Sequence, residues 1–533
     1  MSASKDRQLR KQQIEAGTDK RTLAAAEAAK KRRKSNITYI IVAAVLVIFF
    51  AFIFYYNSSL PARNTTAVTI DGEKYSVAQT DYYYATAYMN FYSDYYNYIQ
   101  YGMFFDPNES LADQMYSEDM TWRDYFLDSA VDRMTEIQAL NKAAEEAGYV
   151  MPEEDQAAYE EAVEQLETGW QSLNYSNLEQ YLNLNYGKGV TADLAKEELY
   201  RSSVAASYYR SIYDGFEYSD EDLAAYYAEN ADDLDVISYA YYLFSGSKAE
   251  AQAIADAVNG TDEETFADWL AENYDGAALS SFSNAGRDLS PVYRDWLLDP
   301  ARAAGDVAVL TDGDLAAAEE PAEDAEEPAE DAEEPAEDAE EPSEDAEEPA
   351  EDAEEPAEDC YVVMFLGRDV NEYHPVSFRH ILISADDLDL DGAYSTEEVE
   401  AARTQAQSIY DEWLAGDATE ESFAELANTH STDTGSNTSG GLYENVAKDQ
   451  MVPAINDWLF EEGRKPGDTI VVTNEGSYTG AHVVYFVGEE ETTYADYLSD
   501  TALRSQDSSE WITELKSGVE VVRNHLNRCG KAH

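Results

Sequence analysis

Residues 291–311, PVYRDWLLDPARAAGDVAVLT, align without a gap on residues 453–473, PAINDWLFEEGRKPGDTIVVT. Asp295, Trp296, Leu297, Arg302, Gly305, Asp306 and Thr311 fall on Asp457, Trp458, Leu459, Arg464, Gly467, Asp468 and Thr473. An internal repeat of this kind means that whatever unit one copy folds into, the chain must hold twice. The correspondence extends outward: ISYAYYLFS at 237–245 answers VSFRHILIS at 376–384, and YVVMFLG at 361–367 answers HVVYFVG at 482–488. Each copy therefore reads as a strand, helices and a returning strand.

The second copy carries short pieces in a fixed order. His380 lies in its first strand, FAELA (423–427) precedes Ser431-x-Asp433, Gly440-Gly441 follows, then Gln450-Met451 with Pro453, and His482 opens the last strand. As an ordered set these pieces resemble a parvulin-type (PpiC, rotamase) peptidyl-prolyl cis-trans isomerase over nearly all of 376–488. The resemblance implies that His380 and His482 face each other from adjacent central strands, with Asp433 near the substrate carbonyl, as the catalytic set. It also implies that Leu442, Met451 and Ile455 wall a proline pocket. Two departures from the family pattern stand out: an aromatic is usual at Ile455, and Gly440-Gly441 is followed by Leu-Tyr without the usual Asp. No basic loop follows the first strand, where DDLDLD stands instead, so selection for phosphorylated Ser-Pro substrates is not expected.

The chemistry is consistent with those residue types. Rotation about an Xaa-Pro bond faces a barrier of roughly 18–20 kcal/mol and needs no nucleophile. It needs a pocket for the pyrrolidine ring, a surface that favours the twisted amide, and little water; each tenfold acceleration requires about 1.4 kcal/mol of preference for the twisted form. A hydrogen-bonded imidazole pair fixes the tautomer of each ring. The competing view of both histidines is as satisfied polar residues of a strand. All six histidines lie beyond residue 373, and two land on the motif positions. In the first copy, Tyr241 and Tyr361 stand at those positions, the segment after FADW is shorter, and the Gly-Gly is missing, so this copy is expected to keep the fold without the active site.

Upstream, KKRRK at 30–34 precedes the apolar run ITYIIVAAVLVIFFAFIFYY at 37–56. About 20 residues make a helix of about 30 Å, the thickness of a bilayer core. The basic cluster places the N-terminus in the cytoplasm and the bulk outside. A cleaved signal peptide is the alternative, against which stand the long leader and the lack of a small-residue cleavage site after the run. No Cys lies near it, which excludes a lipidated N-terminus. From 66 to 235, after one short strand AVTIDGEKYS, the pattern is helical: Leu127, Val131, Met134 and Ile137 share a face, Gly148 is a stop signal, and Ser219 with Asp222 form a capping-box pattern. This region holds no His or Cys and resembles the helical chaperone domain of extracytoplasmic foldases of the PrsA and SurA type.

AEEPAED repeats six times from Ala318 to Asp359, with Ser343 as the one exception. A Pro in every period and no apolar seam exclude a coiled coil, leaving an extended, self-repelling segment. Enlarging a surface turn from about 6 to about 42 residues costs only about 1.7 kcal/mol in loop closure. A passive expansion and a spacer or binder of polycations both remain open. With 109 acidic against 35 basic residues, the net charge of −74 excludes nucleic acid as a partner. The abundant tyrosines suit loose peptide contact or ordinary helix packing. Neither Cys360 nor Cys529 has a Cys or His at zinc-ligand spacing.

DLDLDGAYSTEE at 387–398 has the spacing of a twelve-residue calcium loop, with Asp387, Asp389, Asp391, Gly392, Ser395 and Glu398 in place; the competing view is a Ser395–Glu398 helix cap.

The expected class is α+β: a basic tail (1–36), a transmembrane helix (37–56), a helical SurA-like chaperone domain (66–235), a degenerate parvulin-like domain (236–317 with 360–369), the acidic repeat (318–359), a parvulin domain (374–490), and a C-terminal helix with a polar tail (491–533) that can return to the helical domain. The expected activity is prolyl isomerisation in unfolded or secreted polypeptides with Xaa-Pro bonds, outside a membrane crossed by one helix. A holding chaperone without catalysis is the alternative. No cofactor is required, with structural calcium as the one candidate.

Overall fold

The computed structural model describes residues 3–17, 20–314, 358–388, 393–474, 476 and 479–530. Nearly all of the acidic repeat, and Asp389, Asp391 and Gly392 of the candidate calcium loop, lie outside the described residues. The chain divides into two compact units, residues 1–216 with 504–533, and residues 217–503.

In the first unit, helix α1 (Lys20–Asn57) contains the apolar run and is the one helix among the described residues long and apolar enough to cross a membrane. A short helix α2 (Leu60–Asn64) follows. The stretch expected as one strand is instead a hairpin of β1 (Thr66–Ile70) and β2 (Glu73–Ser76). Asp71 and Gly72 take φ of 49° and 82°, the two positive values a tight hairpin turn requires, and Asp-Gly is the pair that supplies them. Ser76 and Gln79 then form a capping box that starts α3 (Val77–Asp94), which is followed by the one-turn α4 (Tyr96–Gln100).

Helix α5 (Trp122–Ala147) is bounded as its sequence dictates: the Thr121 side chain accepts from the Asp124 N–H, and Gly148 closes it at φ 64°. Its stripe of Phe126, Val131, Met134, Ile137 and Leu140 is fully buried, and α6 (Ala192–Asp214) packs along it.

The second unit holds two four-stranded antiparallel sheets of the same plan. In chain order the elements are β3 (Val236–Gly246), α7 (Lys248–Val258), α8 (Glu263–Asn273), β4 (Ser280–Ala285), α9 (Pro291–Leu298), β5 (Val307–Thr311) and β6 (Glu358–Asp369). The series then repeats as β7 (Val376–Ser384), α10 (Thr396–Ala415), α11 (Glu420–His430), β8 (Leu442–Val446), α12 (Pro453–Leu459), β9 (Thr469–Asn474) and β10 (Gly480–Glu489). Strand orders are β4-β3-β6-β5 and β8-β7-β10-β9. In each sheet one face is covered by two helices, and the other by the short helix that begins with Pro. In sequence the acidic repeat falls between β5 and β6, which are neighbours in the sheet and pair Thr311 with Cys360.

The repeated residues owe their identity to one local device. Gly305 at φ 92° donates to Phe365 O (2.8 Å), and Gly467 at φ 91° donates to Phe486 O (2.9 Å). The following residues, Asp306 and Asp468, accept from the same two phenylalanines through their carbonyls. Arg302 lies 4.5 Å from the Trp296 ring and donates to Trp296 O; Arg464 lies 3.9 Å from the Trp458 ring and donates to Trp458 O. This cation–π clamp fixes the turn between the short helix and the edge strand in both copies.

Helix α13 (Tyr494–Ser517) runs longer than its DSSEWITELKSG core suggested. The segment expected as a polar tail forms β11 (Val521–Arg523), which pairs antiparallel with β1 through Val68–Arg523 and Ile70–Val521. Trp511, Ile512 and Leu515 pack into the core of the first unit, which is therefore built from both ends of the chain.

Candidate active site

Side chains alternate along β7 and β10, so Phe378 and His380 share a face with His482, Val484 and Phe486, while Ile381, Ile383, Ala481 and Val483 face α10 and α11. His380 pairs with Val484 and His482 with Leu382, which brings the two imidazoles together. Their Nδ1 atoms are 3.4 Å apart, with ring centroids at 5.6 Å and planes within 18°. Both are buried, at 7% and 3% exposure.

Asp433 arrives through the end of α11. Phe423 and Ala427 anchor that helix in the core, after which Thr432 N–H donates to Leu382 O (2.8 Å) and the Ser431 hydroxyl accepts from Leu382 N–H (3.1 Å). This clip on β7 sets the carboxylate opposite His380, with Oδ2 at 2.9 Å from Nε2. Oδ2 also accepts from the Ser436 hydroxyl and from Tyr443 O–H (2.9 Å), and Oδ1 accepts from Gly435 N–H (3.1 Å). Burial opposes ionisation of Asp433, but the hydrogen bonds from Ser436, His380, Gly435 and Tyr443 outweigh it and hold its pKa well below the usual carboxylate range. Burial pushes the His380 imidazole below its ordinary value, against the opposing pull of Asp433.

The network therefore assigns protons. A neutral His380 donates through Nε2–H to Asp433, which leaves its Nδ1 to accept from His482 Nδ1–H. The rings are locked in orientation and tautomer from the Asp433 side.

Gly440 and Gly441 are required by close approach. Both take positive φ, 70° and 69°, and a Cβ at Gly441 would lie 2.1 Å from His380 O. Gly441 O instead accepts from His380 N–H at 2.9 Å, which fixes the strand at His380.

Of the expected wall residues, Ile455 at the start of α12 and Met451 join the apolar cluster of Phe378, Val484 and Phe486 on the His380 face. Leu442 does not. It pairs with Arg379, whose guanidinium turns to the helix-covered face and bonds Glu420 (2.9 Å), so Leu442 projects away from the histidines. Tyr443 lies on the histidine face instead, stacked on Phe378 (5.4 Å) and edge-on to His380 (5.2 Å). A register shift between β7 and β8 exchanges the faces of these two neighbours.

Residues 363–489 match the family described as the PPIC-type PPIase domain. This part of the chain is a parvulin-type domain. Among solved structures, the chain is similar to the peptidylprolyl isomerase PrsA of Bacillus anthracis, at 19% identity over 28% of this chain and 59% of that one, with a TM-score of 0.18. It is also similar to PrsA of Bacillus cereus, at 18% identity over 27% and 49%, with a TM-score of 0.18. The matched part thus spans between 49% and 59% of those chains. No curated protein matches. Within the parvulin-type domain, Glu398 is engaged as a cap: its carboxylate accepts from Ser395 N–H (2.8 Å), the Ser395 hydroxyl and Leu388 N–H (2.6 Å). Among the described residues no cluster of three or more His, Cys, Asp or Glu is arranged to hold a metal ion.

Proposed function

We propose that the chain is a peptidyl-prolyl isomerase and foldase, anchored by α1, that assists secreted proteins outside the membrane. The observation that carries this is the His380–His482 pair, held by Asp433 beside an apolar cluster in a parvulin-type domain. The pyrrolidine ring rests on Met451, Ile455 and Phe486, with Tyr443 and the imidazoles along the amide. A buried, pre-ordered polar edge facing an apolar floor binds the twisted amide better than the planar, hydrated one, which is the whole requirement for this reaction.

In this proposal the sheet β4-β3-β6-β5 belongs to a second, degenerate parvulin-like domain. Tyr241 and Tyr361 hold the register positions of His380 and His482, with ring centroids 5.7 Å apart. Only residues 274–279 separate α8 from β4, against 431–441 between α11 and β8, so the carboxylate segment has no room. The helical first unit then acts as the chaperone part, in the manner of SurA-type foldases. A holding chaperone is the second reading, favoured by the catalytically empty first copy. The two separate on His482→Ala: catalysis of Xaa-Pro isomerisation is lost while suppression of aggregation of an unfolded protein persists. Loss of neither, with no isomerisation in the parent chain, leaves the holding chaperone alone.

A further inference from the structure

From Val77 to Trp122 the chain carries ten tyrosines, seven acidic residues and no Lys, Arg or His. Some of these rings build the core, but Tyr95, Tyr96, Tyr98, Tyr101 and Tyr116 are exposed at 41, 50, 53, 85 and 49%. Three of these rings are joined through the half-exposed Phe104 and the buried Trp122: Tyr95 to Phe104 at 5.2 Å, Tyr98 to Phe104 at 6.4 Å, Phe104 to Trp122 at 6.1 Å, and Trp122 to Tyr116 at 4.9 Å. Met103 and Met115, at 65 and 56% exposure, add adaptable apolar surface. Soluble domains seldom leave such a patch open unless something binds it.

Its charge says what. Asp94, Asp106, Glu109, Asp113, Glu118 and Asp119 are all exposed on the same segment. Elsewhere in the chain cations already cover ring faces, Arg201 at Tyr75, Arg302 at Trp296, Lys448 at Tyr373 and Arg464 at Trp458; among the described residues these four contacts all lie outside this ring network. Electron-rich ring faces bordered by carboxylates attract Lys and Arg, whose long stems also cover apolar surface. A bilayer of anionic lipid is repelled by the same charges. The patch also begins at the far end of the 18-residue α3, about 27 Å along its axis from the end nearest α2.

We propose that the end of α3, α4 and the loop 101–121 form a docking surface for extended, positively charged polypeptide segments. It stands apart from the isomerase reading, because it involves neither proline nor the histidines.

The test uses the detergent-solubilised full chain and labelled, proline-free peptides of Lys, Ser and Gly, with counterparts in which Lys becomes Ser, Leu or Glu. Fluorescence anisotropy is expected to show binding of the lysine peptide, at least about tenfold weaker binding of the serine and leucine peptides, and none of the glutamate peptide. Tyr95→Leu with Tyr98→Leu, which keeps apolar bulk and removes the ring faces, is expected to weaken the lysine peptide about fivefold to thirtyfold. Asp94→Asn with Asp113→Asn weakens it without touching a ring. The acidic repeat is unchanged in all these variants, so binding that survives them intact belongs to the repeat and overturns the proposal. Equal binding of the leucine and lysine peptides, or a surface that only joins two copies of the chain, overturns it as well.

Discussion

Replacing Asp433 by Asn tests the network that holds the histidine pair. The carboxylate accepts four hydrogen bonds, three of them at Oδ2. An amide can keep its oxygen at the three-donor position only by turning its NH2 toward Gly435 N–H, so at least one donor faces a donor. The bonds that remain lose their charge assistance, falling from about 1.5–3 to about 0.5–1.5 kcal/mol each. With the side chain 19% exposed, water recovers part of this, and a net cost of about 2–4 kcal/mol is expected. Hydrogen exchange on the full chain reads it locally: amides of β7 and of the 431–441 segment are expected to lose protection by about 30-fold to about 1000-fold, while β3 and β6 are unaffected. Isomerisation falls with it, since His380 loses the group that fixes its tautomer. Protection within about threefold of the parent chain refutes the claim that Asp433 organises this site.

Gly441→Ala places a methyl against His380 O and forces an L residue to φ 69°, so a loss of about 2–4 kcal/mol in local stability is expected, read as early proteolysis within 420–450. His380 has its pKa lowered in the fold; the unfolded chain therefore binds the proton first as pH falls below about 6.5, and stability present above that value is lost toward the folded pKa. Exchange protection of β7 is thus expected to decline as the pH falls below about 6.5, and this decline to flatten in His380→Gln. With His380→Ala and His482→Ala together, the Tyr241–Tyr361 copy is expected to leave no residual isomerisation, and measurable turnover in that chain would overturn its assignment. For the 387–398 loop, the Glu398 cap predicts that millimolar calcium leaves the melting temperature unchanged; a rise abolished by Glu398→Gln would establish the metal instead.

Much of this architecture is legible because the devices are local. The Pro-start helices, the Trp–Arg clamp and the Gly-Asp turn recur at fixed spacing, and Gly148, Ser219–Asp222 and Ser395–Glu398 cap helices as their sequences dictate. The histidines came together because both lie on long strands whose period of two fixes the face. What stayed hidden depends on partners far away in sequence. The three residues of β11, two of them valines, are too few to read as a strand alone and are held as one by β1. Leu442 and Tyr443 are adjacent residues that both suit a half-buried strand, and the register shift against β7 decides which one meets His380. The Asp71-Gly72 turn, by contrast, was an available hairpin signal inside a stretch too short to look like two strands.

The most direct test of the account is the cis-to-trans rate of a short Ala-Pro peptide, followed by exchange NMR, with the full chain in detergent and with its His482→Ala variant. The account predicts acceleration above the uncatalysed rate by the parent chain, and a loss of most of it in a variant whose β7 amides remain protected. A parent chain that leaves the peptide at its background rate, or a variant that matches the parent, contradicts it.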